Sequence, residues 1–444
     1  MDGTRPGQRR SARFPLGVEG LEERRLLSGR PGYSLLEIHP AAHPAIRPNL
    51  PVMPFATPTK KASFIDPSVL IDHGQSVVVS YQTYIAPYAI LDGTGGAIKI
   101  GTGSVVQDTA KIVANPRHRD RLPQVLIGND VEIGYGATIQ GPSTIGGYEG
   151  AAKPTAIGAR AVIDGATIEP GAIVSPLARV GPGVTVPTGY QVLPGMNVTT
   201  EAQATNPNLG KVALVTSSQT TTLAQTLAFA QTQAADYTSL YQGNSATGVS
   251  PGANPAVSGV NNGNLSTVEG ASPEPPSSFA STTPAKTIPS FLSPLRGLVG
   301  GQLANFPARI IGLAEFHQRA WQVALHLGRA NSIRADQGQP IQIGSIAHTG
   351  NDVVITSPLG GTLTIGRKFR AGSHAVILSG PNVKAQIGDD VTIGSGAVLD
   401  RTSLGSGSTV GPDAYLVSST FPAHTVIPAR AIYINNKFQG FVQS

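Results

Sequence analysis

Aliphatic residues recur at steps of six, broken twice by a step of eleven, along two long stretches of the chain. In the first they fall at Ile127, Ile133, Ile139 and Ile145, and after the inserted "GYEGAAK" at Ile157, Ile168, Val174, Val180 and Val186. Several are followed by glycine, as in Ile127-Gly128, Ile133-Gly134 and Ile157-Gly158. In the second stretch the series is Ile387-Gly388, Ile393-Gly394, Leu399, Val410-Gly411 and Leu416. A half-buried strand alternates with period two and an amphipathic helix with period 3.6, so neither yields a step of six. Six-residue periodicity is the mark of hexapeptide β-helices, in which each hexad supplies one short strand and one turn. Three hexads close a triangular coil, and each aliphatic points inward onto its counterpart in the coil below. The pattern predicts two such β-helices, over residues 62–200 and 331–444, with Ile127, Ile133, Ile139, Ile168, Val174 and Val180 facing the interior. The insertion "GYEGAAK" is expected to leave at a corner.

Other segments break the period. "TSSQTTTLAQTLAFAQTQAADYTSLYQG" carries Leu223, Leu227 and Ala230 on one helical stripe, so residues 201–242 are expected to include an adjoining helix. Residues 243–306 are small, polar and Pro-rich and read as a disordered linker. Over 307–330, Leu313, Phe316, Ala320, Val323 and Leu327 stand at helical spacing and predict an amphipathic helix. That helix would pack on a β-helix wall or, with Arg309, Arg319 and Arg329, lie on a membrane surface.

Composition supports a repetitive β architecture. Gly (53) and Pro (36) make up a fifth of the 444 residues, while aromatics are 5%. There is no cysteine, which excludes thiolate catalysis, cysteine-ligated metals and disulfides. The net charge of +6 sits mainly in residues 1–61, which hold ten Lys/Arg and five Asp/Glu. The body has no basic patch with interleaved aromatics, so nucleic acid is not an expected partner. No apolar run is long enough for a transmembrane helix. The basic, Pro-rich N-terminal tail is interrupted by Glu19, Glu22 and Glu23, unlike a secretory signal.

One segment carries "FIDPS" (64–68), "VQD" (106–108), "IGNDVEIGYGATIQG" (127–141) and "PTGYQVLPGMNVT" (187–199). A second carries "IRADQGQPIQIG" (333–344), "HAVILSG" (374–380) and "IGDDVTIGSGAVL" (387–399). In these motifs and their order both segments resemble γ-class carbonic anhydrases, of the hexapeptide-repeat superfamily that also contains acyltransferases. The resemblance implies left-handed parallel β-helices assembled as a homotrimer. It also implies a three-histidine metal centre at the subunit interface, where bound water becomes the hydroxide that attacks carbon dioxide. Two of the family's histidines form His-x4-His before a glycine, and the third lies shortly after Gln-Asp.

Aligned on those motifs, the first copy holds Tyr135 and Gln140 in the His-x4-His slots, and Val113 near the upstream slot; His118 is out of step. The second holds His374 and Ser379, with Thr356 upstream. One histidine, His374, stands in six slots, so no cofactor is expected. Zinc or iron enters only under an alternative with a displaced site, which could recruit His348, His424 or Asp400. The remaining family residues are divided. Gln107 and Asp108 match Gln-Asp in the first copy, whose Arg-x-Asp slots hold Leu91 and Gly93. Arg334 and Asp336 match Arg-x-Asp in the second, whose Gln-Asp slots hold Gly350 and Asn351. Resemblance assigns Arg334 and Asp336 to assembly; Gln107, Asp108 and His374 are the catalytic candidates.

Three functions stand at this point: a non-catalytic carbonic-anhydrase-like scaffold or envelope component, a carbonate dehydratase with a displaced metal, and an acyltransferase using His374 or His424 as base. "LEERRLL" (21–27) is similar to the LEPR-XLL segment of exported and surface proteins, which points to export or the cell envelope; a cytoplasmic location stands as the alternative.

Overall fold

The structure, a computed structural model, describes residues 63–66, 68–114, 124–148, 153–242, 267–268, 308–312, 314–318, 320–335, 341–358 and 361–443. The N-terminal tail with its LEPR-XLL-like segment, His118 and Asp336 lie outside them.

Short strands stack in parallel into two β-helices of the left-handed hexapeptide-repeat kind, each with three flat faces. In the first, three sheets of eight, seven and seven strands, here A, B and C, start with the strands Phe64–Ile65, Leu70–Asp72 and Val77–Val79. In the second, sheets D, E and F have eight, six and five strands and start at Ala308–Gly312, Ala314–Phe316 and Ile346–Thr349. Register keeps the inward aliphatics in column: Ile139 pairs with Ile112 below and Ile163 above, and Ile377 with Ile355 and Leu399. Ile127, Ile133, Ile139, Ile168, Val174 and Val180 are all inward and at most 1% exposed. Each coil therefore removes a ring of branched side chains from water, and that burial is the main force holding coil on coil.

The corners explain the glycines. A Cβ added to Gly128 would lie 2.5 Å from the backbone of Gly147 one coil away, so the stacked turns leave no room for a side chain. Other corners use left-handed backbone with larger residues, including Thr109 (φ 58°), Arg160 (φ 57°) and His374 (φ 61°).

Each β-helix ends on an antiparallel strand, Val212–Leu214 on sheet A and Lys437–Phe441 on sheet D, which stops further parallel growth. Helix α1 (Glu201–Thr205) is capped by the Thr200 hydroxyl and buries Ala204 against the coil end. Helix α2 (Ser217–Gln242) lays Leu223, Leu227, Ala230 and Ala234 on the outer face of sheet A over Phe64, Tyr84 and Val105.

Two expectations are corrected. Residues 307–330 are not one amphipathic helix: Ala308–Gly312 and Ala314–Phe316 are strands of the second β-helix, and only α3 (Ala320–His326) is helical. Ala308 and Ile310, then Ala314 and Phe316, also alternate with period two. Pairing with Asn331–Ala335 and Ile341–Ile343 carries these alternating side chains into the core, which a lone helix on the surface would not. Val323 of α3 and Leu327 just after it join the same core, so this side of the segment is inside the fold and unavailable to a membrane. The expected linker also contains structure, since Thr267–Val268 adds a parallel strand to Val77–Val79; the rest of 243–306 is outside the described residues.

Candidate functional site at the junction of the two β-helices

The outward columns of sheet D lie against the corner and outer face of sheet A, coil beside coil. The contact begins at Arg309, which grips Asp66 with Nη2–Oδ2 at 2.9 Å and Nε–Oδ1 at 3.3 Å. It ends where Gln443 N–H donates to the Gly195 carbonyl at 2.7 Å. Between them Val354, Val376, Val398, Tyr415, Val417 and Ile432 pack against Ala159 and Leu177. Nearer solvent, Arg160 reaches Asp413 at 3.6 Å.

The centre of this seam is polar and buried. Arg334 Nη2 donates to Asp108 Oδ2 at 2.7 Å, and Nη1 donates to the Tyr84 hydroxyl at 2.8 Å. Ser332 Oγ donates to Asp108 Oδ1 at 2.5 Å. Asp108 is 0% and Arg334 1% exposed, so both charges have left water and depend on each other. Asp108 of the first β-helix thus meets Arg334 of the second inside one chain.

One coil further along, both β-helices line a cavity of about 230 Å³. Glu132, Tyr135, Ala156 and Pro176 come from the first; Leu378, Val398, Asp400 and Tyr415 come from the second. Glu132 stands on the outer face of sheet A, in register between Val105 and Ala156. Its carboxylate therefore sits in an apolar column. Burial pushes it up to about 6, against a weak opposing hydrogen bond from Gln107 Nε2 at 3.4 Å. Asp400 is also raised by burial, opposed by Arg401, whose Nε and Nη2 donate to its Oδ2 at 3.1 and 2.9 Å. Its side chain keeps 23% exposure, so the cavity meets solvent there. Burial also raises the Tyr415 phenol, with Asp400 adding to the shift, so it remains a neutral hydroxyl.

The register corrects the alignment of the metal slots. Thr138-Ile139-Gln140 and Val376-Ile377-Leu378 are equivalent, because Ile139 and Ile377 both point inward. Gly136 (φ 62°) and His374 (φ 61°) are then the same left-handed corner. The second copy has one residue more between its inward isoleucine and the following glycine, which shifts the motif by one. So the slot opposite Tyr135 is Ser373, not His374, and the slot opposite Gln140 is Leu378, not Ser379. Thr356 keeps its slot, in register with Leu378 as Val113 is with Gln140. Likewise Arg334 is equivalent to Asp92 rather than Leu91, since Ile333 and Leu91 are the inward pair.

None of the six slots holds an imidazole, so this donor set does not fit a three-histidine metal centre. Among the described residues no group of three or more His, Asp or Glu could hold a metal ion. His374 lies at a corner, 55% exposed, with Nε2 3.4 Å from Asp352 Oδ2. His348 is exposed on sheet F and His424 at another exposed corner, so neither joins Asp400 on sheet D. Ser379 is buried and donates to Ser357 Oγ at 3.2 Å.

Glu132, Tyr84, Tyr415, Asp66 and Arg309 are site residues that sequence reasoning missed. Every hexad has an outward position beside its aliphatic, and nothing local separates Glu132 from residues that face water. Asp66 was legible as part of "FIDPS", but not its partner 243 residues away.

No family model matches the sequence, and no curated protein does. Among solved structures, it is similar to a hexapeptide transferase family protein from Anaplasma phagocytophilum, at 15% identity over 39% of this chain and 92% of that one, TM-score 0.21. It is also similar to the Arabidopsis UDP-N-acetylglucosamine acyltransferase (8% identity, 85% and 74% coverage, TM-score 0.15) and to the Campylobacter jejuni enzyme of that name (10%, 85% and 74%, 0.14). These structural neighbours are hexapeptide-repeat transferase-family proteins; no activity is carried over from them.

Proposed function

We propose that the chain is a non-catalytic, carbonic-anhydrase-like scaffold in which two β-helices form a permanent pair. The observation that carries this reading is the buried Arg334–Asp108–Tyr84 network where the family's chemistry would lie. A metal-hydroxide mechanism needs neutral donors that leave the ion's charge free to acidify water. Val113, Tyr135, Gln140, Thr356, Ser373 and Leu378 supply no imidazole for that purpose. The resemblance assigns Arg334 to assembly between subunits, whereas here it binds Asp108 inside one chain, and further assembly into a trimer would use other faces. An envelope location fits a scaffold and rests on the N-terminal segment alone.

The test is metal content and stopped-flow carbon dioxide hydration of the purified full-length protein. The expected result is no stoichiometric zinc or iron and no hydration above buffer. Hydration that follows added zinc or iron and is lost on chelation overturns the reading.

One observation favours a second reading, an acyltransferase. The exposed His374 imidazole is held by Asp352, as a carboxylate holds a general base. Acetyl-coenzyme A binding lost in His374→Ala would support it.

A further inference from the structure

We propose that the cavity between the two β-helices is a binding site for a small organic monocation, an alkylammonium or quaternary ammonium. The inference goes beyond the scaffold reading and stands whether or not the chain catalyses anything.

Charge selects the ligand. Asp400 is already compensated by Arg401, whereas Glu132 has no ion pair among the described residues and accepts only the long bond from Gln107. The cavity therefore presents about one unbalanced negative charge, and an anion is disfavoured. A second positive charge would go uncompensated. A divalent ion such as calcium needs six to eight oxygen ligands, and magnesium six, whereas Pro176, Leu378, Val398, Ala156 and Ala159 offer apolar walls.

Size and surface narrow it further. About 230 Å³ corresponds to roughly seven or eight waters at about 30 Å³ each, enough for a compact head and too small for a nucleotide. Tyr135 and Tyr415 face the same space, one from each β-helix. Aromatic rings beside a half-buried carboxylate suit an ammonium that carries methyl or methylene groups, because such a cation is lightly hydrated and attracted to ring faces. Solvent reaches the cavity at Asp400, which provides a route of entry.

The experiment is calorimetric titration of the full-length protein at pH 7.5 with tetramethylammonium chloride and butylammonium chloride. Neopentyl alcohol serves as the uncharged match, and potassium chloride as the ionic-strength control. The expected result is saturable binding of one ammonium per chain, at least tenfold tighter than neopentyl alcohol. Glu132→Gln should weaken it at least tenfold, with circular dichroism retained and the thermal midpoint no lower than the parent's. Leu378→Trp, which fills the cavity while keeping both carboxylates in the chain, should abolish it. No saturable binding of either ammonium up to 100 mM overturns the proposal, and so does binding that survives both variants.

Discussion

Arg334 and Asp108, 226 positions apart, are joined at 2.7 Å with both side chains out of water. Removing the cation strands a buried carboxylate, and losing one partner of such a pair costs about 3 to 5 kcal/mol. Arg334→Ala should therefore lower stability by about that amount in chemical denaturation. Replacing both partners by apolar residues, Arg334→Met with Asp108→Leu, should recover most of the loss. Equal loss in single and double variants would show that the charges are not coupled.

Residues in one column predict one another far better than residues across the seam. Ile127, Ile133 and Ile139 announce their coil because the period is local and each hexad repeats the same geometry. The seam depends instead on outward residues whose partners lie more than 200 positions away, and no local period reports them. The motifs put Gln107-Asp108 in one copy and Arg334 in the other; only the fold shows that Asp108 and Arg334 meet. The error at His374 has the same root. One extra residue before Gly380 is invisible to motif spacing, yet it moves an imidazole from a proposed slot to an exposed corner.

The interior columns should respond in the usual way to truncation. Ile133→Ala in the first β-helix and Ile377→Ala in the second each leave a cavity between stacked rings, so each should cost about 2 to 5 kcal/mol. Calorimetric midpoints of both variants against the parent check this. A loss below about 1 kcal/mol at both sites would mean that neighbouring coils collapse into the gap.

Glu132 gives the seam a pH dependence with a defined sign. Its carboxyl stands at about 6 in the fold against 4.5 unfolded, so the native state holds the proton more tightly. The stabilisation is complete below pH 4.5 and is lost as pH rises through 6. The amount is on the order of 1 to 2 kcal/mol. Asp400, raised in the same sense, adds to it, while Gln107, Arg401, Tyr135 and Tyr415 are the other polar or titratable groups around the cavity. Asp389, lowered by Arg367, acts in the opposite sense elsewhere. The measurement is therefore the stability difference between the parent and Glu132→Gln from pH 4 to pH 8. It should shift in favour of Glu132→Gln as pH rises, and a flat difference would place Glu132 in water.

The seam should hold without a covalent connection. Arg309–Asp66 and Arg334–Asp108 are buried ion pairs separated along the contact, and the Val354, Val376, Val398, Tyr415, Val417 and Ile432 surface between and beyond them would be exposed if the β-helices parted. An apolar strip of that extent on a free β-helix is unfavourable in water, so burial drives association while the ion pairs set its register. Residues 1–242 and 308–444, co-expressed as separate chains, should therefore co-purify as a one-to-one complex. Arg334→Glu places a second carboxylate against Asp108 in a space without water, and like charges there repel strongly. It should split the co-expressed pair in size-exclusion chromatography. Arg401→Glu, at the solvent edge where Asp400 stays 23% exposed, should leave the pair associated. Dissociation of the parent fragments at micromolar concentration would instead make chain connectivity the main restraint on the pair.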